Sequence, residues 1–490
     1  MQFKDFVRMM TDISDTGTGN LLNSFYDNFS EAVEQYRLNH SLDSVASPPS
    51  GLNMSDFYDQ ETFDKYRKFL YISCKYWIDN WAQFLNINRI QNVFEAKGIP
   101  FIGDNVRVNF YQLLEKIFLE DYDVNDGEIS RNEVLDAEDI MTTKSIPNRI
   151  TYPENTLFYD EFEQVQIDEI EMYIPYKEIY GIQQGKGLDE DENIIMKYLP
   201  CADFDQSDLE CKGCVQKQNI KDYILNIRGF CTETKFWEKV EEKRQEALAK
   251  RGYDTHPAKL KIVRFQKPEK NSSKLELEFG CSGYLEHLVY QDVLKEKEIA
   301  QNDFREDIHK LPDNDAFNQR DTVWSRAGGG VWLVTEDNYL IVSYRGKTVH
   351  EVPGVISYSS SGGFDRKVWN RQENIYEDGT PAKNMKREIL QELNIDAEKK
   401  EVSKLEIVSF GVDLLGGPWM QFSFLANTSL TMKEVLERNL GAIDRHEFKI
   451  FFIPFTADAV KALLLKANME AGADYSLYEI YKMKLAGNAD

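Results

Sequence analysis

Apolar residues at the start of the chain recur with helical spacing. Phe3, Phe6, Val7 and Met10 share one face of a predicted helix. The aromatic-rich run from Glu61 to Phe84, ETFDKYRKFLYISCKYWIDNWAQF, predicts the main helix of a bundle, and the stretch SVASPPSGLN between Ser41 and Asn53 reads as a loop. Residues 1–145 therefore read as a helical domain whose aromatic stripe is core. The period then shortens towards two. TLFYDEFEQVQIDEIEMYIPYKEIYGI alternates and is rich in aromatic and β-branched residues, which predicts strands, and Thr232–Lys250 reads as a charged, solvated helix ending at Gly252. Residues 146–255 are thus a mixed region.

From residue 256 the pattern is regular. KLKIVRFQ and KLELEFGCS read as two strands around the turn KPEKNSS, followed by a helix. Gly328-Gly329-Gly330 precedes a strand, Glu336-Asp337-Asn338 makes a hairpin turn, and a second strand ends at Arg345. After residue 400 the pattern predicts strand, strand, helix, strand, helix, the helices being TMKEVLERNL and ADAVKALLLKA. The fold class is α+β and multidomain, with a helical N-terminal region, a mixed middle region and a C-terminal region of strands and helices at 256–490.

The stretch Gly379–Asp396, GTPAKNMKREILQELNID, carries the candidate chemistry. Thr380 is a good N-cap, Pro381 falls at the first helical position, and Asn394 is suited to a left-handed C-cap. Glu388 and Glu392 are four residues apart and share a helical face, with Gln391 beside them. Met385, Ile389 and Leu393 form the opposite, apolar stripe. Two carboxylates on one face suit a hard divalent cation that keeps some of its waters and also touches phosphate oxygens. A surface helix with two solvated glutamates fits the same pattern.

This stretch resembles the Nudix box, G-x5-E-x7-R-E-U-x-E-E-x-G-U with U aliphatic. Arg387, Glu388, Ile389, Glu392 and Ile395 fall on matching positions. Gln391 stands where the family has the first Glu of its pair, Asn394 where it has Gly, and Gly379 where it has the loop Glu. The stretch GKTVHEVPGVISYSSSGGF is similar to the family's strand leading into its Gly-rich loop, whose Gly-Gly corresponds to Gly362-Gly363, displaced by an insertion of about ten residues. The resemblance covers about a third of the chain, and it implies that the C-terminal region 256–490 is a Nudix-like α/β/α sandwich with its core at about 320–490. It implies a metal-dependent hydrolase of a nucleoside diphosphate derivative, cleaving a pyrophosphate bond with Mg2+ or Mn2+. Glu388, Gln391 and Glu392 would ligate the metal, Glu388, Glu392 and Glu447 would act in catalysis, and Arg345, Gly362 and Gly363 would bind substrate. Arg387 would orient a loop carboxylate, with Glu373 or Glu377 replacing the missing loop Glu. The departures at Gln391 and Gly379 leave a second reading open: a nucleotide-sensing module coupled to the N-terminal helical half.

Composition narrows the partners. Among 490 residues, 58 Lys and Arg stand against 83 Asp and Glu, a formal net charge of −25. That charge opposes non-specific binding to nucleic acid or an anionic membrane and fits a small anionic ligand reached through a metal. No apolar run approaches a membrane span, and MQFKDFVRMM lacks the apolar core of a signal peptide, so the expected location is cytoplasmic. Cys201, Cys211, Cys214 and Cys231 read either as a structural Zn2+ site or as ordinary reduced thiols. DYDVNDGEISRNE at Asp121–Glu133 echoes an EF-hand loop one residue out of register, or is an acidic turn before a helix.

Overall fold

The computed structural model describes residues 3–14, 54–81, 87–99, 101, 106–118, 134–181, 187–198, 233–251, 259–266, 274–296, 298–310, 326–346, 352–373, 375–415, 419–444 and 448–486. Glu447, the four cysteines of the zinc reading and the EF-hand-like segment lie outside these residues. The fold is mixed α+β, with a helical N-terminal part and mixed sheets in the middle and C-terminal regions.

Helices Phe3–Ser14, Gln60–Lys65, Arg67–Trp81, Ile87–Ala96 and Val106–Phe118 converge on one apolar cluster containing Phe3, Phe6, Phe69, Ile72, Phe94, Phe110 and Phe118. The predicted single helix from Glu61 is broken at Tyr66, whose φ of −110° and ψ of 18° close the first segment. Phe63 and Tyr66 on one side of the break, and Phe69 and Leu70 on the other, still reach the same core, so burial outweighs helix continuity. Ile443, far away in sequence, belongs to this cluster.

The predicted middle strands form. Strands β1 (Glu163–Ile167) and β2 (Ile170–Ile174) make a hairpin, followed by β3 (Tyr176–Gly181), β4 (Leu188–Asp189) and β5 (Ile194–Tyr198). Strand β5 runs parallel to β7 (Leu275–Ser282), which pairs antiparallel with β6 (Lys259–Gln266). The helix Glu233–Arg251 buries Phe236 and Val240, so it packs one face rather than being solvated throughout. Helices Tyr284–Glu296 and Glu298–Lys310 follow.

The remaining strands are β8 (Arg326–Val334), β9 (Tyr339–Arg345), β10 (Ile356–Ser357), β11 (Ser360–Gly363), β12 (Lys367–Asn370), β13 (Ile375–Asp378), β14 (Glu406–Asp413), β15 (Trp419–Asn427) and β16 (Phe448–Pro454). Among the described residues, nine strands form one sheet in the order β10-β9-β8-β15-β14-β3, with β11 on β8, β16 on β9 and β4 on β14. The sheet therefore draws strands β3 and β4 from before residue 256. The period-2 pattern sorts side chains to two faces. Val331, Phe410, Phe422 and Phe424 pack with Met385, Ile389 and Leu393 of the box helix, Pro381–Leu393. Trp332, Val342 and Ile453 pack on the other face with Val460 and Leu463 of the helix Ala457–Lys466 and Leu477 of the helix Ala471–Ile480. This is the expected three-layer order. The helix Ala471–Ile480 was not legible, because all ten of its residues are buried and no polar face marks its period.

The three glycines read as preceding a strand lie inside β8. A Cβ at Gly330 would sit 2.1 Å from the Tyr358 ring, and one at Gly329 would sit 2.6 Å from the Phe422 carbonyl oxygen. They are glycines because other groups fill the space of a side chain. Strands β12 and β13 form a separate hairpin between the Gly-rich strand and the box helix, which is the insertion seen in the sequence. Among the described residues, no helix is long and apolar enough to cross a membrane.

Candidate functional site

The box helix forms as its caps dictate. Thr380 Oγ1 accepts from the Lys383 N–H, Pro381 opens the first turn, and Asn394 closes the helix in the left-handed region at φ 57°. Glu190 adds a capping contact absent from the sequence reading: the Ala382 N–H donates to its Oε2 at 2.6 Å. A carboxylate there also faces the positive end of the helix dipole.

Glu388 and Glu392 share one face of this helix, as predicted, but that face is covered, their residues being only 8% and 6% exposed. The reading as a surface helix with solvated glutamates is therefore overturned. Strand β11 lies across them. The Ser361 N–H donates to Glu392 Oε2 at 2.9 Å, and a Cβ at Gly362 would sit 2.3 Å from the Glu388 carboxyl carbon. Gly362 is thus required by the close approach of a carboxylate. Gly363 has ordinary room, since its Cβ would lie 3.5 Å from Arg326.

Arg387 sets the electrostatics. Its Nη2 donates to the Gly363 carbonyl at 2.9 Å and to Glu388 Oε1 at 2.5 Å, and its Nη1 pairs with Asp365. Asp365, rather than Glu373 or Glu377, is the carboxylate that Arg387 holds. It also pairs with Lys259 at 2.5 Å, and its N–H donates to Asn384 Oδ1 at 2.7 Å. The two residues expected in that role are elsewhere: Glu377 pairs with Lys383 at 2.9 Å, and Glu373 is exposed in the β12–β13 turn. Only the GGFD order hinted at Asp365, and no local signal marks Lys259, which comes from a strand 106 residues upstream.

Arg345 is brought to the same place. Its guanidinium donates to Ser361 Oγ at 3.2 Å, beside the N–H that holds Glu392. Gln391 is buried, and its backbone carbonyl accepts from the Ile443 and Asp444 N–H groups at 2.8 and 3.1 Å. The Asn439 side chain donates to the Glu392 carbonyl at 3.0 Å.

Burial pushes the Glu388 carboxyl up to about 7; Arg387 and Lys259 pull it down, while Asp365 and Asp444 push it further up. Because the folded protein holds this proton more tightly than the unfolded chain, its contribution to stability is full below the ordinary value of 4.5. That contribution is lost as pH rises through about 7. The metal-free protein should therefore lose stability between pH 5 and 8, and Glu388→Gln should shrink that loss. Urea denaturation at both pH values in chelator, wild type against variant, checks this; equal slopes would contradict it.

Do these groups fit a divalent cation? Two carboxylates one turn apart, with Asp365 and Asp444 in the field of Glu388, form a hard donor set. Ser360, on the same strand face as Gly362, has a buried hydroxyl with no hydrogen-bond partner. Against this, Glu388 and Glu392 do not form a close triad with a third His, Cys, Asp or Glu among the described residues. The donors fit a cation held at two carboxylates, with ligand oxygens and water completing its shell.

No family model matches the chain, and no curated protein matches it. Among solved structures, DR0079 from Deinococcus radiodurans, a Nudix-family protein, is similar at 14% identity and a TM-score of 0.16, over 22% of this chain and 57% of that chain. The match thus spans little more than half of that protein, and at this TM-score it bears on neither fold nor function.

Proposed function

We propose that the C-terminal sandwich binds a nucleoside diphosphate derivative through Mg2+ or Mn2+ held by Glu388 and Glu392, and hydrolyses its pyrophosphate bond slowly. The observation that carries this reading is the burial of both glutamates on one helical face against the Gly-rich strand, where burial and then the Asp365 and Asp444 carboxylates raise the proton affinity of Glu388. Perturbed carboxylates of this kind mark candidate functional sites. When bound, the cation would neutralise phosphate charge and make a bound water more acidic. The chain's own residues supply the rest. Arg387 fixes Asp365 and steadies Glu388, Gly362 leaves the carboxylate its space, and Arg345 offers a guanidinium for a phosphate oxygen. Gln391 contributes an oxygen without a charge, which weakens the metal site, and Glu447 is proposed as an assisting carboxylate.

The test is hydrolysis of a panel of nucleoside diphosphate derivatives with Mn2+ and with Mg2+. Glu392→Gln should abolish turnover, and Mn2+ should serve better than Mg2+, being higher in the affinity order. Equal turnover by Glu392→Gln would exclude the box as the site.

A second reading, a nucleotide-sensing module, is favoured by one contact. The Tyr71 hydroxyl donates to the Ala442 carbonyl at 2.9 Å, and the adjoining Ile443 and Asp444 N–H groups hold the Gln391 carbonyl. A continuous path thus runs from the helical bundle to the box helix. On this reading Tyr71→Phe, which removes one buried hydrogen bond worth about 1 kcal/mol, changes affinity for a nucleoside diphosphate by up to about five-fold. Unchanged affinity in calorimetry would remove it.

A further inference from the structure

We propose a second metal site, for a transition-metal ion such as Zn2+, formed by Asp160, Glu161 and His309. The three side chains offer ligand atoms that all lie within 4.8 Å of one another. They come from two elements: Asp160 and Glu161 from the single turn Tyr159–Glu161, and His309 from the last turn of the helix Glu298–Lys310.

The arrangement is built rather than incidental. Phe158, just before the turn, takes φ 60°, a conformation costly for a bulky residue. It is held there by edge-on packing against Phe304 of the same helix, the ring centroids 4.8 Å apart. That bend turns Asp160 and Glu161 towards the helix that carries His309. Glu161 is buried although it is a carboxylate, and its Oε1 lies 2.8 Å from His309 Nδ1.

Two cations border the group. Arg305 approaches Asp160 at 3.6 Å and Lys177 approaches Glu161 at 3.5 Å. Both are ion pairs rather than close hydrogen bonds. They oppose any cation at the carboxylates, so binding here relies on the imidazole nitrogen. An imidazole nitrogen beside two carboxylate oxygens suits Zn2+ or Co2+ better than Mg2+. Binding replaces the close His309–Glu161 approach with two bonds to the ion. The ion would tie the turn to the helix end. This site shares no residue with the box and stands apart from the hydrolase reading.

The experiment is titration of the full chain with Co2+ at pH 7.5, followed by visible absorption and bound-metal stoichiometry, on wild type, His309→Ala, Glu161→Gln and Glu392→Gln. The expected result is the loss of one bound Co2+ in His309→Ala and in Glu161→Gln, and its retention in Glu392→Gln. His309 is 59% exposed, so His309→Ala should remain folded, and circular dichroism of each variant verifies this. Co2+ held by the cysteines would persist in His309→Ala and be recognised by its sulfur charge-transfer band. Stoichiometry and spectrum unchanged in His309→Ala, or no Co2+ bound by wild type beyond the cysteines and the box, would overturn the proposal.

Discussion

Gly379→Glu, which restores the residue a Nudix box carries at this position, should damage the protein rather than repair it. Gly379 is buried, and a Cβ there would lie 2.1 Å from the Asp365 carbonyl oxygen and 2.7 Å from Asn384 Nδ2. Its backbone cannot retreat easily. Its N–H donates to the Arg366 carbonyl at 3.0 Å, and its carbonyl accepts from the Tyr198 hydroxyl at 2.9 Å. Overpacking of this kind costs about 1–3 kcal/mol, and a new buried carboxylate beside Asp365 and Asp378 adds to it. A loss of about 3 kcal/mol is expected, together with faster hydrogen exchange at the start of the box helix. Wild-type exchange in that turn would show that the loop accommodates the side chain.

Arg387→Met should cost more. Arg387 is buried and joins three groups: Asp365, Glu388 and the Gly363 carbonyl. Removing one partner of a buried ion pair typically costs about 3–5 kcal/mol, because the other charge is left uncompensated. Lys259 still pairs with Asp365, so the burden falls on Glu388, whose carboxyl should rise further. Loss of stability should therefore be greater at pH 8 than at pH 5. Urea denaturation monitored by tryptophan fluorescence, with Trp332 and Trp419 in the central sheet as reporters, measures it at both values. A variant as stable as wild type at pH 8 would mean that the Arg387 network is not holding the site together.

The sequence made the box helix legible because capping and periodicity are local. Thr380, Pro381 and Asn394 each act within one turn, and Met385, Ile389 and Leu393 alternate with Glu388 and Glu392 at a spacing set by helical geometry. The succession of strands and helices along the chain after the box was legible for the same reason. The burial of Glu388 and Glu392 was not legible, because it depends on β11 crossing the helix, and a helical pattern cannot show what lies over its polar face. The electrostatic partners were missed for a related reason. Lys259 and Glu190 reach the site from distant segments, and Asp365 replaces a carboxylate that was sought in the inserted hairpin. The glycines of β8 were visible as glycines, but their cause is the Tyr358 ring and the neighbouring backbone. Strands β3 and β4 joined the large sheet by pairing with β14 across more than 200 residues, which no local period encodes.

The central claim is that Glu388 and Glu392 together hold a divalent cation for a pyrophosphate ligand. It is tested most directly by calorimetric titration of Mn2+ into the full chain, with and without a non-hydrolysable nucleoside diphosphate, on wild type and Glu392→Gln. With a site this poor in charge, Mn2+ should bind weakly alone and more tightly once ligand oxygens join its shell. Both bindings should disappear in Glu392→Gln. Mn2+ and nucleotide binding by Glu392→Gln equal to wild type would contradict the account.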